Sequence, residues 1–274
     1  MSPAAAGAGP AARVVVLGAS GSFPGVDQAC SGYVVESGDA RVVVDLGWGT
    51  VSRLFALLGN HTGDGLHGVF VTHDHPDHMG DLYALFRARW FGRRAADPLP
   101  LFAPAGVVAR LVDQHDGAAQ DIHRVFGWHE TPGPDTTCGP FAVRTVLLPH
   151  HVPNAALRLS TADVAIAFTG DTGASTELAE LGRDTDLFVV DATDRHQQPG
   201  VESAPAGQPP LNLTAAEAGA AARAAGARVL LLTHLWPGND RQQARDDAAA
   251  HYPGPVLVAH AGLVVDVQPA RQDL

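Results

Sequence analysis

The stretch Val71–Gly80 reads "VTHDHPDHMG". It packs three histidines and two aspartates into the six residues His73 to His78, with Pro76 among them. Burying that many polar groups costs free energy unless each is satisfied, so chain packing alone does not call for them. The run "GVFVTH" (68–73) leads into the cluster with a strand pattern. After it, Leu82, Leu85 and Phe86 follow an i, i+3, i+4 helical spacing up to about Trp90. The cluster therefore sits at a half-buried junction between a strand and a helix. In an extended segment His73 and His75, two apart, point to the same side. Pro76 stops the strand, and Asp77 and His78 open the helix. Such a turn converges four ligating side chains on a small volume. Imidazole and carboxylate suit zinc, manganese or iron, and the lack of thiolate argues against a purely structural zinc site. Four candidates are too many for one ion once distant ligands are added. Two ions about 3.5–4 Å apart use them better.

Working outward, short β-branched runs recur at 13–18, 32–37, 41–47, 141–148, 164–171, 186–193, 227–234 and 255–267. Gly, Pro or Asp bound each one, as strands require. "TAAEAGAAARAAGA" (214–227) predicts an alanine-rich helix, with Thr214 as N-cap, Glu217 completing a capping box and Gly226 ending it. Strands alternate with helices in both halves, so the class is α/β. Residues 1–12 read as a flexible tail and 13–274 as a single domain. The Pro-, Gly- and Gln-rich segment 195–212 reads as a long surface loop. Polar residues follow strand ends: His73, His150, Asp171, Asp191 and His234. Ligands gather at the carboxyl ends of strands in layered α/β folds, so these five predict one shared pocket.

Bulk properties narrow the partners. The 274-residue chain carries a formal net charge of −11, and all 18 of its basic residues are arginine. Nucleic-acid binders draw most of their affinity from a basic face. No Lys/Arg group larger than Arg93–Arg94, with Arg87 and Arg89 before it, is present, so long polyanions are disfavoured. The two cysteines, Cys30 and Cys138, form no metal-binding or disulfide pattern. No leader-like N-terminus or membrane-length apolar run is seen. A cytoplasmic protein is the expectation.

"THDHPDH" matches the H-x-H-x-D-H signature of the metallo-β-lactamase fold, and the other segments follow in family order over nearly the whole chain. "VVDLGWGT" resembles the early Asp-Gly motif, "LPHHVPNAALRL" the third motif, "FTGDTG" the bridging-carboxylate motif and "LLLTHLWP" the last-ligand motif. The resemblance implies a four-layer αββα sandwich. It also implies that His73, His75 and His150 hold one ion, and Asp77, His78 and His234 the other. Asp171 bridges them with a hydroxide, and Asp45 braces a ligand from behind. The two ions are expected to be zinc, with manganese or iron as alternatives. Arg158, eight residues on, selects His150 over His151 as the third-motif ligand by its resemblance to ribonuclease Z-like sequences. His151 is then either a pocket-lining residue or an exposed loop histidine.

The branch is read from three features. "HHVPNAALR" differs from the H-T-P-G of lactonases and glyoxalase-type thioesterases. It resembles the ribonuclease Z and phosphodiesterase branch, as does "LGASGSFPGVDQACSGYVV", which sets Ser31 beside a phosphate site. With "LTAAEAG", the pattern is most similar to the atypical bacterial cyclic-AMP phosphodiesterases. Ribonuclease Z itself fits less well. Its transfer-RNA-binding arm is usually inserted between the third-motif histidine and the bridging aspartate, and here only 21 positions (171 − 150) separate His150 from Asp171. The implied reaction is attack of a metal-bridging hydroxide on a small phosphodiester, with Asp77 and Asp171 holding the hydroxide and available for its proton.

One departure stands out. The branch usually has a histidine where this chain has Asn212, and an amide cannot supply a proton to a leaving group. His151 or His196 could supply it, a metal could stabilise the leaving oxygen instead, or the substrate is not a cyclic nucleotide. Asn212 could also be only the residue leading into the capped helix. Asp191 is expected to orient a ligand histidine, and Trp236 to wall the pocket or pack in the core. His61, His67, His115, His123, His129, His251 and His260 show no partner pattern. Alternatives to a phosphodiesterase are an ester, lactone or amide hydrolase, a ribonuclease Z-like processing enzyme, and a metal-binding regulator without turnover. The resemblance also admits a homodimer.

Overall fold

In β1 (Ala12–Gly18), β2 (Gly32–Ser37) and β3 (Ala40–Leu46), valines alternate between two apolar surfaces. Val35, Val42 and Val44 join one core, whereas Val34 and Val43 join another. Strands that are apolar on both faces must be covered on both, and this dictates layers on either side. The computed structural model describes residues 10–92, 97–194, 197, 207 and 209–269. The first strand starts at Ala12, the last residue of the expected tail. Residues 1–9, Arg93–Arg94 and His196 lie outside the described residues.

The first sheet continues with β4 (Gly68–Phe70), β5 (Leu99–Ala103) and β6 (Phe126–Glu130), which run parallel to β3. The second contains β7 (Thr136–Cys138), β8 (Phe141–Leu148), β9 (Asn154–Ser160), β10 (Ala165–Phe168), β11 (Leu187–Asp191), β12 (Leu230–Thr233) and β13 (Val256–Val258). β14 (Val264–Val267) returns to the first sheet beside β1. The orders are β14-β1-β2-β3-β4-β5-β6 and β13-β12-β11-β10-β9-β8-β7. Val14, Val16, Phe70 and Phe102 of one sheet meet Phe141, Leu157, Ile166 and Val189 of the other in the central core.

Helices cover the outer faces. α1 (Val51–Leu58), α3 (Leu82–Gly92), α4 (Ala105–Gln114) and α5 (Ala119–Val125) bury Leu54, Leu82, Phe86, Leu111 and Ile122 against the first sheet. The short α2 (Pro76–Met79) carries the Asp77–His78 pair. α6 (Glu177–Leu181), α7 (Ala215–Ala225) and α8 (Arg241–Ala249) cover the second. α7 has the expected capping box at Thr214 and Glu217 and a left-handed Gly226 at its end. Its alanine-rich face lets α8 come close: a Cβ on Gly219 would meet the Ala248 carbonyl at 2.4 Å. The architecture is the expected four-layer αββα sandwich.

Two differences from the sequence reading have clear causes. The apolar run 255–267 is two strands in two sheets. Gly262 at φ +86° and its N–H bond to Val16 O turn the chain across the sandwich. β9, alanine-rich and low in β-propensity, is a strand because β8 and β10 pair with it on both sides. The β9–β10 hairpin fills the short interval between His150 and Asp171.

Candidate metal centre

Each polar residue that follows a strand end arrives at one place. Val71, Thr72 and His73 leave β4, Pro149 and His150 leave β8, Gly170 and Asp171 leave β10, and His234 leaves β12. Two groups form, each with ligating atoms within 4.8 Å of one another: His73, His75, His150 and Asp171, and Asp77, His78, Asp171 and His234. Asp171 belongs to both.

In the first group His75 Nδ1 stands 3.1 Å from His73 Nε2 and 3.2 Å from His150 Nε2. In the second, His234 Nε2 stands 3.0 Å from Asp77 Oδ2 and 3.3 Å from Asp171 Oδ2, while His78 Nε2 is 3.1 Å from Asp171 Oδ1. Donors about 2.0–2.2 Å from a tetrahedral ion lie roughly 3.4 Å apart, which these separations match. His78 Nε2 and Asp171 Oδ1 are buried without a hydrogen-bond partner, a costly state that a shared cation relieves. The donor set therefore fits divalent ions.

The outward nitrogens fix the ring orientations. His78 Nδ1–H donates to Asp45 Oδ2 at 2.7 Å. His73 Nδ1–H donates to the Thr72 hydroxyl at 3.0 Å, and that hydroxyl donates to Asp45 Oδ2 at 3.0 Å. His150 Nδ1–H donates to Leu211 O at 2.9 Å. His234 Nδ1–H donates to the Thr193 hydroxyl at 2.9 Å, which donates to Asp191 Oδ1 at 2.6 Å. Each Nε2 thereby faces inward, where a deprotonated ligand histidine offers its lone pair to an ion. Asp191 thus reaches His234 through Thr193, at 3.7 Å from its ring nitrogen, rather than by direct contact. Thr72, Thr193 and Asn154 are contributors the sequence reading left out. A hydroxyl beside a His or Asp at a strand end is the signal for the threonines. Asn154, fully buried, donates to Thr169 O at 2.8 Å and Asp171 O at 2.7 Å, setting the turn that aims Asp171.

Strain concentrates here. Asp45 and His234 hold left-handed backbones at φ +59° and +63°, and Ser22 does so at +61° while its N–H donates to Asp77 Oδ2 at 2.7 Å. Each such residue costs about 1–3 kcal/mol, which packing must offset. Gly21 is needed beside it, because a Cβ there would meet His234 O at 2.4 Å.

The remaining predicted residues fall as follows. Ser31 lies buried beneath the centre, with its N–H donating to Asp77 O at 3.1 Å. Its side chain lines a small space with Tyr33, His78, Asp171, Thr233 and His234. His151 is exposed, its ring centroid 5.0 Å from that of His150 and 6.5 Å from that of His75. Asn212 Nδ2 donates to Asp191 Oδ2 at 3.1 Å and lies 3.5 Å from Asp171 Oδ2. Trp236 is half-buried, 6.4 Å from the Phe23 ring.

The two groups differ electrostatically. Burial pushes His150 down to about 4, His73 well below its usual range and His75 downward. Burial would also lower His78 and His234, but carboxylates outweigh it. Asp171 and Asp45 lift His78 well above the imidazole range, and Asp171 with Asp77 lifts His234 to about 9. Burial would raise Asp77, yet His78 and His234 hold it at about 2. Burial and the neighbouring Asp171 push Asp191 up to about 6.

Protonation of His234 stabilises the metal-free fold fully below 6.5 and loses its effect as pH rises through about 9. The neutral, buried His150 acts oppositely, weakening the fold as pH falls from 6.5 towards about 4. Ion uptake must also displace the protons on His78 and His234. Calorimetry at pH 7.5 in buffers of different ionisation enthalpy is expected to detect roughly two protons released, with affinity climbing towards pH 9. Uptake indifferent to pH would contradict this. Thr193→Val keeps the side-chain shape but breaks the chain to Asp191. It is expected to weaken ion binding about 10–100-fold, with Thr193→Ser restoring it, as read by metal titration.

Comparison with known proteins agrees with this geometry. Residues 40–235 match the profile of the "Beta-lactamase superfamily domain". An uncharacterized Mycobacterium leprae protein, ML1173, is 31% identical over 93% of this chain and 89% of its own length. The probable metallo-hydrolase YhfI of Bacillus subtilis is 28% identical over 92% of this chain and 98% of its own. The crystal structure of YhfI superposes with a TM-score of 0.77, at 26% identity, over 93% and 98% of the two chains. A ribonuclease Z of Mycobacterium bovis is 26% identical over 94% and 99%. The chain belongs to the β-lactamase superfamily, and its relatives include a probable metallo-hydrolase and a ribonuclease Z. Among the described residues, no helix is long and apolar enough to cross a membrane.

Proposed function

We propose that the protein is a dinuclear phosphodiesterase acting on small substrates such as a cyclic nucleotide. The observation that carries this reading is the pair of ligand groups sharing Asp171, reached through a β9–β10 hairpin with no inserted arm. The net charge of −11 supports a small substrate over a long polyanion. His73, His75 and His150 would hold one ion and Asp77, His78 and His234 the other, with zinc favoured by a nitrogen and oxygen donor set.

Two such ions supply hydroxide at neutral pH and polarise a phosphoryl oxygen. The chain's own residues do the rest. Asp45 and Asp191 lock the histidine rings. Asp77 lies 3.0 Å from His234, and Asp171 lies 3.1 Å from His78 and 3.3 Å from His234, so both carboxylates face the ligand groups and are available for the proton. They orient the nucleophile as acceptors. Asn212 can donate a hydrogen bond to a phosphoryl or leaving oxygen but no proton. A cytoplasmic location, where nucleotides are found, would suit this reading.

Asn212, where relatives usually have a histidine, also favours a second reading, hydrolysis of an ester, lactone or amide on the same fold. The test is a panel on protein whose metals have been counted: cyclic AMP, bis-p-nitrophenyl phosphate, a lactone and a β-lactam. Phosphodiester turnover, lost in His75→Ala, is expected. Its absence with two ions bound would reject the phosphodiesterase reading, and lactone turnover alone would select the second.

A further inference from the structure

Among the described residues, large apolar side chains next to the segments that carry Asp77 and His234 are left exposed. Phe23 exposes 48% of its surface, Trp48 40%, and Val26 is fully exposed. Phe23 follows Ser22, whose N–H holds Asp77 Oδ2. The Ser20 hydroxyl donates to Phe23 O at 2.9 Å, and Phe23 N–H donates to Gly21 O at 2.7 Å, so the loop presents the ring on a fixed backbone. Its partner Trp236 lies two residues past His234. Trp48 packs on Gly80, three residues past Asp77 and therefore on the same face of α2. A Cβ on Gly80 would meet Trp48 Cδ1 at 2.4 Å. Around His75 and His150 the neighbours are the exposed His151, the Asp74–Arg110 ion pair of 2.7 Å and Leu147, 52% exposed. The rings gather instead at the segments that carry Asp77 and His234, an aromatic shoulder to the centre.

We propose that Phe23, Trp48 and Trp236 form a stacking subsite for the flat base of a nucleotide whose phosphate lies at the ligand groups. This rests on the phosphodiesterase reading and adds to it the non-reacting half of the substrate. Three observations favour that occupant. Phe23 follows Ser22, which holds Asp77; Trp236 follows His234 by two residues; and Trp48 packs on Gly80, three past Asp77. They come from separate loops pinned to the same ligands, so their spacing is set by the centre. The net charge of −11 makes a second copy of the chain or a long polyanion a poor fit, whereas a single base and phosphate adds little repulsion. Base–aromatic stacking tolerates any base, so the subsite selects nucleotides over base-free phosphodiesters without choosing among them.

Isothermal titration of the metal-loaded protein with AMP and with ribose 5-phosphate tests it. AMP is expected to bind about 5- to 150-fold more tightly, the range that one stacked base contributes. Phe23→Ala and Trp48→Leu should narrow that gap while leaving ribose 5-phosphate affinity unchanged, and Phe23→Tyr should retain it. Equal affinity for the two ligands, with phosphodiesters still hydrolysed, overturns the subsite alone. Failure to bind either, with no phosphodiester turned over, overturns the function beneath it as well. A dimer in sedimentation that Phe23→Ala disperses, with equal ligand affinities, would assign the shoulder to a second copy and reject the proposal.

Discussion

Asp171→Ala is expected to remove both ions and reduce hydrolysis to the uncatalysed level, on the order of 10⁶-fold or more. It is the one residue present in both ligand groups. Its two oxygens reach towards His78 at 3.1 Å, His234 at 3.3 Å and His150 at 3.7 Å. Its charge is also the leading cause that lifts His78 and His234 against burial, so its loss changes the protonation of the whole centre. The fold should survive, because Asn154 holds the turn through the backbone oxygen of residue 171 and not its side chain. Elemental analysis should then find apo protein with an unchanged far-ultraviolet spectrum. Two ions retained in Asp171→Ala would show that the groups do not share a ligand.

Asn212→His is expected to raise turnover of substrates with alkoxide leaving groups by about 10²–10⁴-fold, the usual worth of a general acid. Nitrophenolate esters, which leave without a proton, should show no gain. Asn212 Nδ2 already meets Asp191 Oδ2 at 3.1 Å, so an imidazole there would find a carboxylate to orient it. Asp191 is buried and pushed up to about 6, and a cationic partner would draw it back down. The pH–rate profile should gain a descending limb where the new acid loses its proton. An unchanged rate towards alkyl phosphodiesters would mean that the leaving oxygen needs no acid in this protein.

The β-branched runs of β1 to β3, β11 and β12 were legible because their burial on both faces demands unbroken apolar sequence. The capping box at Thr214 was legible because it is a local contact. β9 was not, because Asn154, Ala155 and Ala156 carry no strand preference and only the hairpins with β8 and β10 hold them extended. The splitting of 255–267 depends on a turn whose only mark in the sequence is Gly262. In the centre, the ligand cluster at 73–78 could be read from density alone, and the distant ligands from resemblance. The threonine links behind His73 and His234 could not, since a threonine beside a ligand is common and only the fold shows which oxygen faces which nitrogen. Ser31, expected beside a phosphate site, is buried next to His78, Asp171 and His234. The aromatic shoulder went unread because Phe23, Trp48 and Trp236 are far apart in the chain.

The ligand residues arrive from both sheets, His73 to His78 from the β4 side and His150, Asp171 and His234 from the strands of the other. An ion held there is also a rivet across the seam of the sandwich. One ion would tie positions 73 and 171 and the other positions 77 and 234, closing loops whose entropy the unfolded chain would otherwise regain. Any species that binds only the folded state adds to stability in proportion to the logarithm of its free concentration. The supply of metal would then govern how long the protein lasts as well as whether it works. In metal-poor cells, copies lacking the rivet would open along the seam and reach proteases sooner.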